Sequence, residues 1–289
     1  MSRSVGTQQR GGRPNPSGTG PATGVPSVNL RRRRAILGFG LGLSGAVLLA
    51  ATNSVPARRI GPDDSLLAEG RFVFERNCVI CHGKWGDGRG EMATGMVPRP
   101  RKFTAGTFKF RSTPSGSLPT DADLARTIRG GLFGTSMPTF QHLPDRDVKS
   151  VIEYVKTFSR KWSAPENYAT PLPLPEPPAW LNDVATRAPR LAAGRALFEL
   201  NCQPCHGPEG RGNGPATAEL EDEWGQPAVP ADLTRPAIKS GTEPRDLYRV
   251  LVTGLNGTPM PSFLESTTES ERWDLVAYLL SIRSTAVTP

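Results

Sequence analysis

The sequence predicts an all-α chain of two tandem helical modules, preceded by a disordered tail and one N-terminal hydrophobic helix. Three observations carry that prediction. A pentapeptide occurs twice, Cys78-Val79-Ile80-Cys81-His82 and Cys202-Gln203-Pro204-Cys205-His206, at a spacing of 124 residues. The same shift superimposes Gly70 on Gly194, Phe74 on Phe198 and Asn77 on Asn201. Apolar residues recur at helical spacing near the end of each copy, and no stretch alternates with the period of a strand.

Length and charge bound what the modules do. At 289 residues the chain accommodates about two domains. The net charge is +8, but residues 1–59 hold nine arginines and no acid, while residues 60–289 balance 26 basic against 27 acidic side chains. The basic character therefore belongs to the tail, which excludes nucleic-acid binding by the body. Within the body, residues 60–163 carry a net +5 and residues 164–289 a net −6. The split reads either as ordinary surface variation or as two modules that face partners of opposite charge, which would orient encounters.

Residues 1–29 are rich in Gly, Pro, Ser and Thr and have little to bury, so 1–34 reads as a disordered basic tail on the cytoplasmic side. Arg31 to Arg34 directly precede the apolar run Ala35 to Ala51, and small residues follow through Ala57. A positive flank, an apolar segment and a small-residue end mark export. The run makes roughly 25 Å of helix at 1.5 Å per residue, against a bilayer core of roughly 30 Å. Val55 and Ala57 fit cleavage, whereas the long leading tail favours an uncleaved anchor. Residues 35–57 are expected to act as that signal-anchor. In either case the rest of the chain lies on the periplasmic or extracytoplasmic side.

The first module is expected over 62–163 and the second over 190–285. In the first, a helix from Leu66 to Phe74 runs into Cys78, as Leu191 to Leu200 runs into Cys202. Gly-rich turns follow each pentapeptide. A basic, aromatic loop, Pro98 to Arg111, then contrasts with an acidic one holding Glu219, Glu221, Asp222 and Glu223. Thr120 is expected to cap a helix through Ile128, and Thr242 its counterpart through Val252. The last helices are expected over Asp145–Arg160 and Thr268–Arg283, the latter opened by a Thr268…Glu271 capping box. Between the modules, residues 164–189 hold seven prolines and read as an extended, semi-rigid spacer.

The pentapeptides carry the chemistry. C-x-x-C-H is the attachment signature of c-type haem, in which the two thiols add across the porphyrin vinyl groups and the His sits beneath the iron. Zinc ribbons space their two C-x-x-C pairs roughly 15–20 residues apart, and a redox dithiol does not call for a His after both copies. Two covalent haem c groups are therefore expected, on Cys78, Cys81 and His82 and on Cys202, Cys205 and His206. The second module contains one methionine, Met260, 54 residues after His206. Met137 lies 55 residues after His82 in a matching loop, Gly134-Thr135-Ser136-Met137-Pro138 beside Gly257-Thr258-Pro259-Met260-Pro261. These two are the expected sixth ligands. Met92 and Met96 read as packing residues, and His142, the remaining histidine, as a surface or loop residue.

Together these residues resemble the class I cytochrome c family, of the exported dihaem type with two fused modules. The likeness covers about 66–161 and 190–283. It implies tandem cytochrome c-like haem domains, three to five helices wrapped round each haem. It also implies that first and last helices cross where a Gly and an aromatic meet a second aromatic: Gly70 and Phe74 with Tyr154, and Gly194 and Phe198 with Tyr278. The expected function is single-electron transfer between periplasmic or membrane redox partners, alone or as the cytochrome subunit of a larger dehydrogenase or reductase. The expected partners are redox proteins on the exported side, and the membrane through residues 35–57 if uncleaved. The alternative is a dihaem enzyme, a peroxidase or sulfur-compound oxidase with one reactive haem.

Overall fold

A computed structural model describes residues 64–283. The basic tail, the apolar segment 35–57 and residues 284–289 lie outside them. Among the described residues there are eight α-helices and no β-strand, only two isolated β-bridges. No helix among them is long and apolar enough to cross a membrane.

Each module is built on one crossed helix pair. In the first, α1 (Asp64–Asn77) crosses α4 (Asp145–Lys156), with α2 (Val79–His82) and α3 (Asp121–Gly130) between them in sequence. In the second, α5 (Val184–Asn201) crosses α8 (Glu269–Ser281), with α6 (Gln203–His206) and α7 (Pro244–Thr253) between. The crossings need glycine. A Cβ on Gly70 would stand 2.0 Å from the Ser150 carbonyl oxygen, and one on Gly194 would stand 2.1 Å from that of Asp274. Against each bare backbone an aromatic pair closes the contact, Phe74 on Tyr154 at 5.5 Å and Phe198 on Tyr278 at 5.3 Å between ring centroids.

The caps follow the expected chemistry with one displacement. Thr120 and Asp123 form a capping box at α3, and Thr268 and Glu271 form one at α8. At α7 the cap is Glu243 rather than Thr242. Pro244 lacks an N–H and has a fixed φ, so it suits the first helical position and moves the boundary one residue on. The last helices are also shorter than expected, ending at Lys156 and Ser281.

The proline-rich stretch differs most from its reading as a spacer. Asp183 accepts the Ala185 N–H, and α5 begins at Val184, six residues inside that stretch, with Pro189 carried in its second turn. The remainder lies along both modules. The Leu172 N–H donates to the Ser112 carbonyl at 2.8 Å, Arg245 donates to the Leu174 carbonyl, and Leu181 is buried in the second core. The cause is the leucines between the prolines: Leu172, Leu174 and Leu181 all pack on that core, where they lose apolar surface to water.

The modules also meet directly. Arg111 of the basic loop is 1% exposed and donates to the carbonyls of Thr253 and Gly254 at the end of α7. Asn256 accepts from the Gly116 N–H and donates to the Ser117 carbonyl. Arg101 lies over the Trp224 ring at 4.5 Å. Two cations of the basic loop, Arg101 and Arg111, are thus engaged within the chain.

Candidate haem sites

Each pentapeptide folds the same way. After α1 the chain makes the short helix α2, with the His82 N–H donating to the Cys78 carbonyl at 2.9 Å; at α6 the His206 N–H donates to Cys202 at 2.8 Å. The Gly88 and Gly212 amides return to the carbonyls of His82 and His206, and those of Gly90 and Gly214 to Cys81 and Cys205. A Cβ on Gly90 or Gly214 would strike the backbone of the short helix. The Gly-rich turns are therefore what lets the chain fold back beneath each motif.

The histidines are oriented by backbone. His82 Nδ1 lies 3.0 Å from the Arg101 carbonyl and His206 Nδ1 lies 3.0 Å from that of Ala231. A carbonyl only accepts, so Nδ1 carries the proton and Nε2 is left with its lone pair, the form that binds a metal. Burial pushes the pKa of both imidazoles down, against the opposing pull of those carbonyls. Phe103 stacks on His82 at 4.4 Å and 17°. In the second module Leu233 takes the corresponding place: the Phe103 N–H donates to Gly86 and the Leu233 N–H to Gly210.

The methionine loops are twins as well. The Leu132 N–H donates to the Met137 carbonyl at 3.1 Å, and Leu255 to Met260 at 3.1 Å. The Thr135 hydroxyl donates to the Leu132 carbonyl and accepts the Met137 N–H; Thr258 does the same between Leu255 and Met260. The recurring Gly-Thr-x-Met-Pro pattern is thus a closed turn that fixes where the Met side chain begins.

These parts line two cavities. One, of about 180 Å³, gathers Cys78, Cys81, His82 and Met137 against Leu124, Ile128 and Val151. The other, of about 310 Å³, gathers Cys202, Cys205, His206 and Met260 against Leu247, Leu251 and Leu279. Native interiors leave few voids larger than a water molecule, so spaces of this size are built for an occupant. Apolar walls, two thiols, one imidazole and one thioether fit a haem bound covalently. Burial, and after it Cys81, pushes the Cys78 thiol up to about 12, and burial with Cys205 does the same to Cys202. A reactive redox dithiol needs the opposite shift. Among the described residues all four cysteines are free.

Other residues divide as follows. His142 is exposed beside Phe140 and lines neither cavity. Met92 is exposed, but Met96 lines the first cavity, although its sequence context reads as packing. The part that sequence reading missed is the wall from the basic loop, Arg101, Phe103, Phe108, Lys109 and Phe110. Its signal was the clustering of aromatic and basic residues in a loop with no helical period.

Comparison with known proteins agrees with this geometry. The family described as cytochrome c matches residues 191–283, and that described as cytochrome c oxidase, cbb3-type, subunit III matches residues 65–155. A cbb3-type cytochrome c oxidase subunit CcoP of Rubrivivax gelatinosus is 28% identical over 192 residues, 66% of this chain and 48% of that protein. The chain thus spans about half the length of that relative. A cytochrome bc1 complex cytochrome c subunit of Corynebacterium efficiens is 26% identical over 261 residues, 88% of this chain and 77% of that protein. Among solved structures, a reducing HAO-like protein complex of Kuenenia stuttgartiensis matches with a TM-score of 0.66 and 39% identity, over 75% of this chain and 96% of that one.

Proposed function

Because the chain belongs to the class I cytochrome c family as two fused modules and binds haem c covalently, we propose that it is a dihaem electron carrier with one six-coordinate haem in each module. The observation that carries the reading is the pair of cavities, each lined by two cysteines, one histidine and one methionine in matching loops. Cys78 and Cys81, and Cys202 and Cys205, are the attachment sulfurs. His82 with Met137, and His206 with Met260, would hold the two irons.

When bound, haem c supplies a one-electron ferrous–ferric couple, whose ferrous state a thioether ligand favours. The protein's part is to hold and to exclude. The Arg101 and Ala231 carbonyls fix the imidazole tautomers and Thr135 and Thr258 fix the methionine turns, and the apolar walls would exclude water from the bound group. A peroxidase or sulfur-compound oxidase needs one metal position left open for substrate, and the matched methionine loops speak for the carrier instead.

The relatives' names, each a subunit or member of a larger redox complex, support work beside other redox proteins as a cytochrome subunit. The arginine-flanked apolar run at 35–57 supports an extracytoplasmic body held by an N-terminal anchor. The test is ligand replacement in the holoprotein. Met137→Ala and Met260→Ala are each expected to remove about half of the weak far-red sulfur-to-iron absorption band. No loss on either substitution refutes the assignment, and an intact-chain mass lacking two covalently added haems refutes the dihaem reading.

A further inference from the structure

The two cavities are not separate. Pro98, Lys109, Phe110 and Lys239 line both of them. Lys109 comes from the basic loop of the first module, and Lys239 from the bridge-forming turn Ile238–Gly241 of the second. Each module thus contributes to the wall of its neighbour's cavity.

That shared wall is cationic and lacks an anion. Among the described residues, neither lysine ammonium forms an ion pair or a hydrogen bond, and both side chains are half-buried. Arg101, which lines the first cavity, has a buried Nη1 with no hydrogen-bond partner. Its plane is held on the Trp224 ring. Burial, and then Arg101 and Lys239, pushes the Lys109 ammonium down to about 8. Burial also depresses Lys239. Buried cations without partners are costly and persist where something pairs them. Glu223 and Asp222 moderate the charge on Arg101 and Lys109 but form no ion pair with either.

Resting on the dihaem reading above, we propose that Lys109 and Lys239 form one carboxylate-binding wall shared by the two cavities, joined by Arg101 on the side of the first, and that this wall pairs the porphyrin carboxylates and so sets the electron affinity of both haems from one place. The chemistry fits: a porphyrin of haem c carries two carboxylates, and two ammonium groups on the wall common to both sites, with the Arg101 fork on the first site's side, present donors of matching sign. A positive charge beside a redox centre disfavours its oxidised form through a low-dielectric medium. Removing a shared cation therefore makes both centres easier to oxidise, whereas a cation serving one cavity changes one.

The test is a potentiometric titration, followed by absorption spectra, of holoprotein carrying Lys109→Gln, Lys239→Gln, and Lys109→Arg as the charge-conserving control. Each Gln variant is expected to lower both midpoint potentials, by about a tenfold change in each ferrous–ferric equilibrium (~59 mV for a one-electron couple). Lys109→Arg is expected to restore the native values. The axial-ligand spectra and the two-haem mass are expected to stay the same. Movement of one potential only, or of neither, in a protein that carries both haems overturns the shared wall and leaves the carrier reading standing. A wild-type mass with fewer than two haems overturns the carrier reading itself, independently of the lysines.

Discussion

Replacing Arg111 by Met keeps a long, flexible side chain while removing the fork that joins the modules. Arg111 sends Nη2 across the junction to the Thr253 carbonyl at 2.5 Å, and Nε within its own module to the Pro114 carbonyl at 3.2 Å, which braces the fork. Its other bonds, to Gly254 and Lys109, are 3.4 Å long and count for little. Hydrogen bonds from a charged donor contribute about 1.5–3 kcal/mol each, so the two short ones amount to about 3–6 kcal/mol. Burying the guanidinium, which already pushes its pKa down to about 10, offsets part of that. The expected net loss is about 3 kcal/mol, because Met leaves two carbonyls without this donor. For a folded body of this size that is a fall in melting temperature of about 6–12 °C. Thermal unfolding of the holoprotein by far-ultraviolet circular dichroism reads it directly. Arg111→Lys is expected to recover little, since an ammonium cannot span both acceptors. A fall of under about 2 °C for Arg111→Met would falsify the role of Arg111 as the joint between modules.

Three further outcomes follow from the geometry. Gly70→Ala and Gly194→Ala each place a carbon near 2 Å from a carbonyl oxygen of the crossing helix. Each is expected to cost about 3 kcal/mol, measured by denaturant unfolding; a neutral result at both sites refutes the close crossing. Asp123 is buried, which alone would raise its pKa, but the Thr120 and Ser112 amides and Arg126 outweigh burial and hold it below the usual carboxylate range. Its folded pKa being depressed, its contribution is present above the unfolded value of about 3.9 and lost as pH falls through the folded one. Asp123→Asn is therefore expected to lower melting temperature near neutrality and to converge with the native protein in acid. Parallel curves at all pH values would refute this. Met96→Leu is expected to leave the far-red sulfur band intact, because Met96 lacks the Thr-braced turn that Met137 and Met260 share; loss of half the band moves the ligand role to Met96.

Much of each module was legible because its determinants are local and occur twice. Gly70 and Gly194, with their aromatic partners, sit at fixed offsets on α1 and α5, so the repeat itself exposes the crossing. The methionine turns were legible for the same reason: Thr135 and Thr258 brace backbone groups within three residues. The junction was not legible, because Arg111 bonds backbone carbonyls, which every residue possesses and which leave no pattern. The wall of Lys109 and Lys239 joins residues 130 apart, on loops without periodicity. A coarse hint existed in the opposite net charges of the modules, realised in the pull of Glu223 and Asp222 on Arg101, but it gave neither partner nor place. The helical start at Val184 was hidden by Pro189, whose missing donor weighs less near a helix start capped by Asp183.

The leucines of the proline-rich strap bear on how this protein can be divided. A fragment starting at the second copy of the repeat, near residue 190, discards Leu172, Leu174 and Leu181 and bares the apolar floor they roof. The smallest self-contained half begins upstream of those leucines, so the seam visible in the repeat and the seam along which the molecule can be cut are different places.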